Sequence, residues 1–212
     1  MHHYSMKEIK TWQRFYRANF INCLSGFKSA TLIGTVNKND IPNLAIFSNL
    51  AHIGSDPAMV GFINRPLEAA PHTIANIEAT GVYTMNHVQD SFIAKAHQTS
   101  AKYAAGESEF EKTGLGIEWK ENCRAPFVAE SNIKYSMELL EIIPIKYNSS
   151  FFIIGKIADV FVDEGIIDRD GFLHIDKAGS VTTLGLDGYY ATSLLARFSY
   201  AKPGLAIEEI HQ

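Results

Sequence analysis

The residues that could do chemistry lie at the ends of short apolar segments in the first half of the chain. Arg65 directly follows the predicted strand Met59–Asn64, and Thr73 opens a predicted helix that ends at Thr80. A guanidinium beside a helix N-terminus is a good site for a dianion such as a phosphate group, because both supply N–H donors and positive charge. The polar residues at these segment ends therefore suit a phosphate and a flat ring system.

The sequence gives less support to nucleophilic catalysis, to a glycine-rich phosphate loop or to a metal site. It contains no Gly-x-Ser-x-Gly nucleophile elbow and neither of the common glycine-rich phosphate loops. Eight histidines invite a metal hypothesis, but none forms an H-x-x-x-H or H-E-x-x-H pair. His72, His87 and His97 lie on separate predicted elements, and His52 is interpreted as a surface residue. A phosphate must therefore be held by side chains and amides at strand ends.

Composition narrows the class of protein. The chain has 212 residues, of which 46% are hydrophobic, enough to bury the core of one domain, or of one domain with elaborations. A net charge of -4 creates no field that attracts nucleic acid or anionic membranes. Cys23 and Cys123 are too few and too far apart for a disulfide framework or a zinc site. With no signal-peptide pattern and no long apolar run, we expect a cytoplasmic protein without nucleic acid or membrane partners.

The elements that must position these residues are mostly strands. The Asn37–Asp40 turn predicts a hairpin between Ala30–Val36 and Ile41–Ser48. Further strands are predicted at Met59–Asn64, Val82–Asn86, Ile133–Ile145, Phe151–Val162 and Leu184–Tyr190. Many strands joined by turn signals, with few helices between them, favour an antiparallel barrel or sandwich over a parallel doubly wound sheet. The predicted fold class is mainly β with peripheral helices.

Three other segments carry weaker signals. Lys7–Phe20 predicts one amphipathic helix, whose aromatic residues belong to the core or to a dimer interface. We expect residues 1–25 to form a helical extension to a domain at 26–212. Ser108–Lys112 predicts a short helix with a capping box formed by Ser108 and Glu111. Gly116–Ala125 is predicted to be a surface loop.

A series of short motifs runs from about Gly26 to Pro203. They are Ile46-Phe47-Ser48-Asn49, Ser55-Asp56-Pro57, Thr73-Ile74-Ala75-Asn76-Ile77, Gly81-Val82-Tyr83-Thr84-Met85-Asn86, Glu109-Phe110-Glu111-Lys112-Thr113-Gly114-Leu115 and Pro126-Phe127-Val128-Ala129-Glu130-Ser131, followed by Tyr190, Phe198 and Pro203. No single motif is specific, but their order and spacing resemble those of the flavin reductase-like, FMN-binding split-barrel family. The resemblance covers nearly the whole chain.

The resemblance implies an antiparallel split β-barrel of the FMN-binding type. It implies a homodimer with FMN at the subunit interface, where NADH or NADPH supplies hydride and the flavin carries the chemistry. The expected function is an NAD(P)H:flavin oxidoreductase, transferring hydride or electrons to flavin or a small acceptor. A partner oxygenase or redox protein would then use the product. No catalytic acid or nucleophile is expected.

The resemblance also assigns binding residues. The segment that lines the isoalloxazine corresponds to Ser48, Asn49, Leu50 and Ala51, and the phosphate side corresponds to Arg65 and Thr73. Ser100 and Lys102 match the loop that closes over the phosphate, and Asn64 is placed to contact the ribityl chain. One departure is the stretch Leu67–Pro71, which lengthens the gap before Thr73, so we expect a differently shaped phosphate loop.

Three alternatives stay open at this stage. One is an electron-transfer flavoprotein of the flavoredoxin type, which keeps its FMN and exchanges electrons with another protein. Another is a non-catalytic flavin-binding protein. A more distant one is the pyridoxamine phosphate oxidase side of the same barrel architecture, whose second cluster of Arg and Lys residues is not evident in this sequence.

Overall fold

The chain is a mainly β protein with helices at its periphery. The computed structural model describes residues 1–104 and 106–210. Its strands are β1 (Lys28–Ser29), β2 (Thr31–Val36), β3 (Pro42–Phe47), β4 (Leu50–Ser55), β5 (Ala58–Asn64), β6 (Val82–His87), β7 (Ile117–Lys120), β8 (Cys123–Val128), β9 (Ile133–Ile145), β10 (Ser150–Val162), β11 (Val181–Leu184) and β12 (Gly188–Ala191). Its α-helices are α1 (Met6–Ile9), α2 (Arg14–Cys23), α3 (His72–Thr80), α4 (Ile93–Gln98) and α5 (Glu109–Thr113).

Seven strands form one antiparallel sheet in the order β3-β2-β6-β9-β10-β5-β4. Strands β1, β11 and β12 form a second sheet, and β7 and β8 form a hairpin. The predicted hairpin between β2 and β3 is confirmed, and Asn37 closes its turn by accepting bonds from the amides of Asn39 and Ile41. In the described part of the chain, no helix is long and apolar enough to cross a membrane.

The large sheet closes on itself between β3 and β4. These strands lie at opposite edges of the sheet, which would be about 29 Å apart if seven strands lay flat. Only Ser48 and Asn49 separate the two strands, and three chain steps span at most about 11 Å. The ring of Phe47 accordingly contacts the ring of Phe62 on β5, with centroids 4.9 Å apart. We call the Ser48–Asn49 junction the seam of the barrel.

Two apolar clusters fill the two faces of this sheet. The barrel interior holds Ile33, Phe62, Tyr83, Met85, Met137 and Ile153, together with Ile74 and Ile77 from α3. The opposite face carries Leu32 and Leu44 against Phe92, Ala96 and Phe110, next to α4 and α5. The alternation of Leu32 and Ile33 between the clusters follows from the two-residue period of a strand. Helix α3 therefore contributes to the barrel interior, whereas α4 and α5 cover its outside.

The predicted loop at Gly116–Ala125 is wrong, because this segment forms most of the β7–β8 hairpin. Strand β8 buries Cys123, Ala125 and Phe127 in a third cluster with Val82 and Phe161. Two hydrogen bonds tie the same strand to β6: the Thr84 hydroxyl donates to the Pro126 carbonyl at 2.6 Å, and the Val128 amide donates to Asn86 Oδ1 at 2.9 Å. These long-range contacts position the β7–β8 hairpin against β6.

The predicted single helix at Lys7–Phe20 is also wrong, because the chain forms two helices there. Gln13 separates them, and its side-chain oxygen caps α2 by accepting from the amides of Phe15 and Tyr16. No residue of α2 is buried, and Phe15 and Tyr16 are 68% and 62% exposed. The aromatic set therefore does not belong to the core of this chain.

The predicted capping box of α5 does not form. Ser108 precedes the helix, but its hydroxyl makes no cap bond and is buried without a partner. The neighbouring Glu109 turns inward instead and accepts a bond from the amide of Leu44 at 2.9 Å. Burial raises the pKa of this carboxyl, a shift that the Leu44 amide partly offsets. A tertiary contact has thus replaced the local cap.

Candidate functional site

The predicted ring-binding segment lies at the seam. Ser48 and Asn49 are half-buried between β3 and β4, and Leu50 begins β4 with its side chain against the interior cluster. Ala51 is exposed and pairs with Gly61 of β5. Asn49 Oδ1 accepts a hydrogen bond from the amide of Ile63 at 3.1 Å, which fixes the seam against β5. The segment is therefore rigidly placed beside the end of β5.

Asn64 ends β5 at this point and is completely buried. Its side-chain amide donates to the carbonyls of Arg65 at 2.7 Å and Ala70 at 3.0 Å. These bonds hold the long loop before α3. Within this loop the amides of Ala69 and Ala70 donate to the carbonyl of Pro66 and close a turn. Asn64 Oδ1 has no partner among the described residues. A buried acceptor without a donor costs about 1–3 kcal/mol, so a ligand hydroxyl or N–H at this atom would be stabilising.

Helix α3 begins without a cap. Pro71 occupies the N-cap position and offers no side-chain acceptor, and the first turn contains no acidic residue. Thr73 therefore lies in the first turn, where it is buried to 5% exposure and its hydroxyl makes no hydrogen bond with a described residue. The free N–H groups and positive end of this helix can accept an anion. Arg65 is exposed at the other end of the same loop.

Ser100 and Lys102 are not joined to the other predicted residues. Both are exposed in the segment after α4, where the Ser100 amide donates to the carbonyl of His97. No hydrogen bond or ion pair within the described ranges links either side chain to the seam, to Asn64 or to α3. Their role over a phosphate stays a prediction.

Two cavities among the described residues are lined by side chains that sequence reasoning did not assign to a binding site. One, of about 170 Å³, lies between α3 and the β2–β3 hairpin, and is lined by His72 and by Asn43, whose Nδ2 is buried without a partner. The other, of about 200 Å³, is lined by Ala30 and His87 and by residues around β11. His87 follows the predicted Val82–Asn86 strand directly, but a single histidine there gives no signal of a cavity.

His87 is held as a neutral imidazole. Its Nδ1 lies 3.1 Å from the hydroxyl oxygen of Ser180, and its ring meets the ring of Tyr135 edge-on at 6.4 Å. Burial lowers the pKa of His87 to about 4, because removal from water disfavours the charged imidazolium. One ring nitrogen is therefore protonated at neutral pH, and the other can only accept.

The lowered pKa of His87 predicts an acid-dependent loss of stability. Below pH 6.5 the unfolded chain binds a proton that folded His87 refuses until about pH 4, so the free energy of unfolding should fall through this window. The loss is roughly 2 kcal/mol at pH 4.5. Urea unfolding at pH 7.5 and pH 4.5 measures it. His87→Gln should match the wild type at pH 7.5 and lose less at pH 4.5, and an equal loss in both proteins would contradict the assignment.

Comparison with known proteins gives the family. The model of the flavin reductase like domain matches residues 24–182, well over half of the chain. The chain therefore belongs to the flavin reductase-like family. The predicted resemblance is confirmed.

Solved structures agree with this assignment. A crystal structure from Shewanella frigidimarina NCIMB 400, described as a split-barrel protein and a candidate flavin reductase, has 46% identity and a TM-score of 0.91, covering 95% of this chain and 100% of that one. Nitrilotriacetate monooxygenase component B from Bacillus cereus has 18% identity and a TM-score of 0.80, with 92% and 97% coverage. Flavoredoxin of Desulfovibrio vulgaris (Miyazaki F) has 24% identity and a TM-score of 0.70, with 85% and 92% coverage. The predicted split-barrel fold is confirmed.

Proposed function

We propose that the protein is an FMN-binding oxidoreductase that transfers hydride or electrons from NADH or NADPH to flavin or a small acceptor. The observation that carries this proposal is a rigid strand junction at the seam beside the unpaired buried oxygen of Asn64, whose side chain also holds the loop that leads to the uncapped start of α3. Family membership supports the flavin as ligand. When bound, FMN would supply the redox chemistry, and the chain would supply binding and orientation.

The seam residues fit the ring of FMN. The backbone amides around Ser48, Asn49 and Leu50 are held by the bond between Asn49 and Ile63, so their dipoles are fixed before any ligand arrives. Fixed N–H donors stabilise negative charge on a ring carbonyl better than mobile ones, because no reorganisation is needed. Ala51 has only a methyl side chain, which leaves room for a flat ring beside the exposed edge strand β4.

The loop and helix beyond the seam fit the polar tail of FMN. Asn64 Oδ1 can accept a bond from a ribityl hydroxyl, which would satisfy its unpaired lone pairs. The first turn of α3 and the guanidinium of Arg65 then suit the phosphate, with Thr73 as a hydroxyl donor. Ser100 and Lys102 would approach the phosphate from the loop after α4. We assign these residues to binding and not to catalysis.

A second copy of the chain would complete the site. Arg65, Ala51, Ser100 and Lys102 are all exposed, so one chain leaves the proposed ligand open to water. The chain also exposes large apolar side chains, with Leu195 at 94% and Phe15 at 68% exposure. A homodimer that buries such residues and covers the flavin explains both features. Sedimentation should accordingly give twice the 23.6 kDa of the single chain.

The spectrum of the purified protein tests the function. We expect bound FMN with flavin absorbance bands, and anaerobic bleaching of these bands by NADH or NADPH. Bleaching only by dithionite or a reduced protein would instead favour an electron-transfer flavoprotein of the flavoredoxin type. Tight FMN that no donor reduces would favour a non-catalytic binding protein. Absence of flavin binding at micromolar FMN would overturn the proposal.

The proposal of a partner oxygenase rests on the name and the fold of one structural neighbour. The structural neighbour from Bacillus cereus is named as a component of a monooxygenase, and it shares the fold of this chain. Reduced flavin released by this protein would then serve a separate oxygenase. An assay that couples the protein to a flavin-dependent monooxygenase, with catalase and superoxide dismutase present, measures whether reduced flavin leaves the site.

A further inference from the structure

The cavity beside His87 lies next to the seam. Its wall includes Ala30, and the following residue, Thr31, pairs with His87 on one side and with Phe47 on the other. Ser48 comes directly after Phe47. Neighbouring strands in a sheet lie about 4.8 Å apart, so the cavity is within about two strand spacings of the segment that we assign to the flavin ring.

The walls of this cavity favour an uncharged flat molecule. Apolar surface comes from Phe27, Ala30, Ile175 and Val181, of which Phe27 and Ile175 are exposed at 62% and 41%. Lys28 is the only charged side chain among the described residues that line it, and its ammonium group donates to the carbonyl of Asn22 at 3.1 Å. The volume of about 200 Å³ suits one substituted six-membered ring better than a three-ring flavin.

His87 provides one directed polar group for such a molecule. Its Nδ1 faces Ser180, while its Nε2 makes no hydrogen bond with any residue in the described part of the chain and is not among the fully enclosed atoms without a partner. When the Ser180 hydroxyl donates to Nδ1, the proton of the neutral ring resides on Nε2. An Nε2–H group is then available to a carbonyl oxygen in the cavity.

We propose that this cavity binds the small acceptor of the enzyme, an uncharged flat ring that carries a carbonyl group, with Nε2–H of His87 donating to the carbonyl oxygen. The acceptor role rests on the proposed function, whereas the binding of such a ring does not. Ser180 is a positioning residue, because it acts only through the tautomer of His87. Quinones belong to this chemical class. Duroquinone serves as the probe, because its methyl groups prevent addition of thiols such as Cys23 to the ring.

Binding of duroquinone to the full-length protein, with and without added FMN, tests this site. The readout is the imidazole proton resonance of His87, assigned by its absence in His87→Phe, a variant that keeps a flat ring but has no donor. We expect this resonance to shift on titration with duroquinone, and His87→Phe to bind about fivefold more weakly, as one lost hydrogen bond predicts. Ser180→Ala should weaken duroquinone binding less than the loss of the His87 imidazole does. It should also change the chemical shift of the His87 resonance, because the imidazole then loses its tautomer preference.

The matched control is His97→Phe. His97 is an exposed histidine whose Nδ1 lies 3.0 Å from the hydroxyl of Tyr189, outside the cavity, so this variant should bind duroquinone normally. Cooperative urea unfolding of His87→Phe at pH 7.5 shows that the variant is folded. An unshifted His87 resonance, or equal duroquinone binding by folded His87→Phe, would overturn the site.

The FMN titration separates this proposal from the proposed function. If His87→Phe loses FMN affinity as strongly as it loses duroquinone affinity, the cavity is part of the flavin site and the acceptor site is overturned, while the proposed function stands. If the wild type binds duroquinone at His87 but binds no FMN, the proposed function fails and the ring-binding site stands.

Discussion

Replacing Gly34 by alanine should strongly destabilise the fold. A Cβ atom at Gly34 would lie 2.2 Å from the Pro126 carbonyl oxygen and 2.6 Å from Thr84 Oγ1. Those two atoms are hydrogen-bonded to each other, so neither can move away without breaking the contact between β6 and β8. Overpacking of this kind costs about 3 kcal/mol or more, a large share of the 5–15 kcal/mol that stabilises a typical domain.

Urea unfolding of Gly34→Ala measures this cost. The matched control is Gly165→Ala, where the added methyl group would approach only the exposed carboxylate of Asp163, at 3.3 Å. We expect the control to change the free energy of unfolding by less than about 0.5 kcal/mol. Wild-type stability of Gly34→Ala would mean that β8 does not pack across β2 as the structure describes.

Six of the seven strands of the large sheet could be predicted because their signals are local, whereas β4 (Leu50–Ser55) was not predicted. Turn residues at Asn37–Asp40 fix a hairpin between two apolar segments, and Gly81 ends α3 in the left-handed conformation at φ +74°. Each of these features depends on residues within about ten positions of one another. Their bounds in the structure accordingly differ from the predicted ones by only one or two residues.

The β7–β8 hairpin could not be predicted, because its charged residues are accommodated by distant partners. Glu118 contacts the ammonium group of Lys134 on β9, and the ammonium of Lys120 lies 4.9 Å above the ring of Phe161 on β10. Read locally, Glu118, Lys120 and Arg124 make the segment polar and favour a loop. At the start of α5, the inward turn of Glu109 was equally beyond local prediction, because it depends on Leu44, 65 residues away.

The candidate site likewise has a part that could be predicted from the sequence and a part that could not. The family resemblance assigned Arg65 and Thr73 to a phosphate site without any structure, and their types fit this role because a guanidinium and a helix start are local features. The unpaired oxygen of Asn64 and the pairing of His87 with Ser180, 93 residues apart, exist only after the sheet has closed. The seam itself follows from strand order, which no local pattern contains.

Arg65→Ala is expected to weaken FMN binding by more than about tenfold. A charge-assisted hydrogen bond to phosphate contributes roughly 1.5–3 kcal/mol, and each 1.4 kcal/mol is a factor of ten in the dissociation constant. Arg65 forms no ion pair within the described ranges, so its removal leaves no protein carboxylate unpaired and the loss reports on the ligand alone. Quenching of FMN fluorescence on titration with the protein measures the affinity.

Two controls identify the phosphate as the group that Arg65 contacts. Riboflavin lacks the phosphate, so the wild type and Arg65→Ala should bind it equally well. Arg124→Ala removes another exposed arginine, whose guanidinium lies 2.7 Å from Asp40 on the β2–β3 turn, and should leave FMN affinity unchanged. Equal losses for FMN and riboflavin would indicate damage to the loop before α3, and unchanged FMN affinity would remove Arg65 from the site. A loss confined to FMN would instead place the phosphate within reach of Arg65, because the phosphate is the group that FMN has and riboflavin lacks.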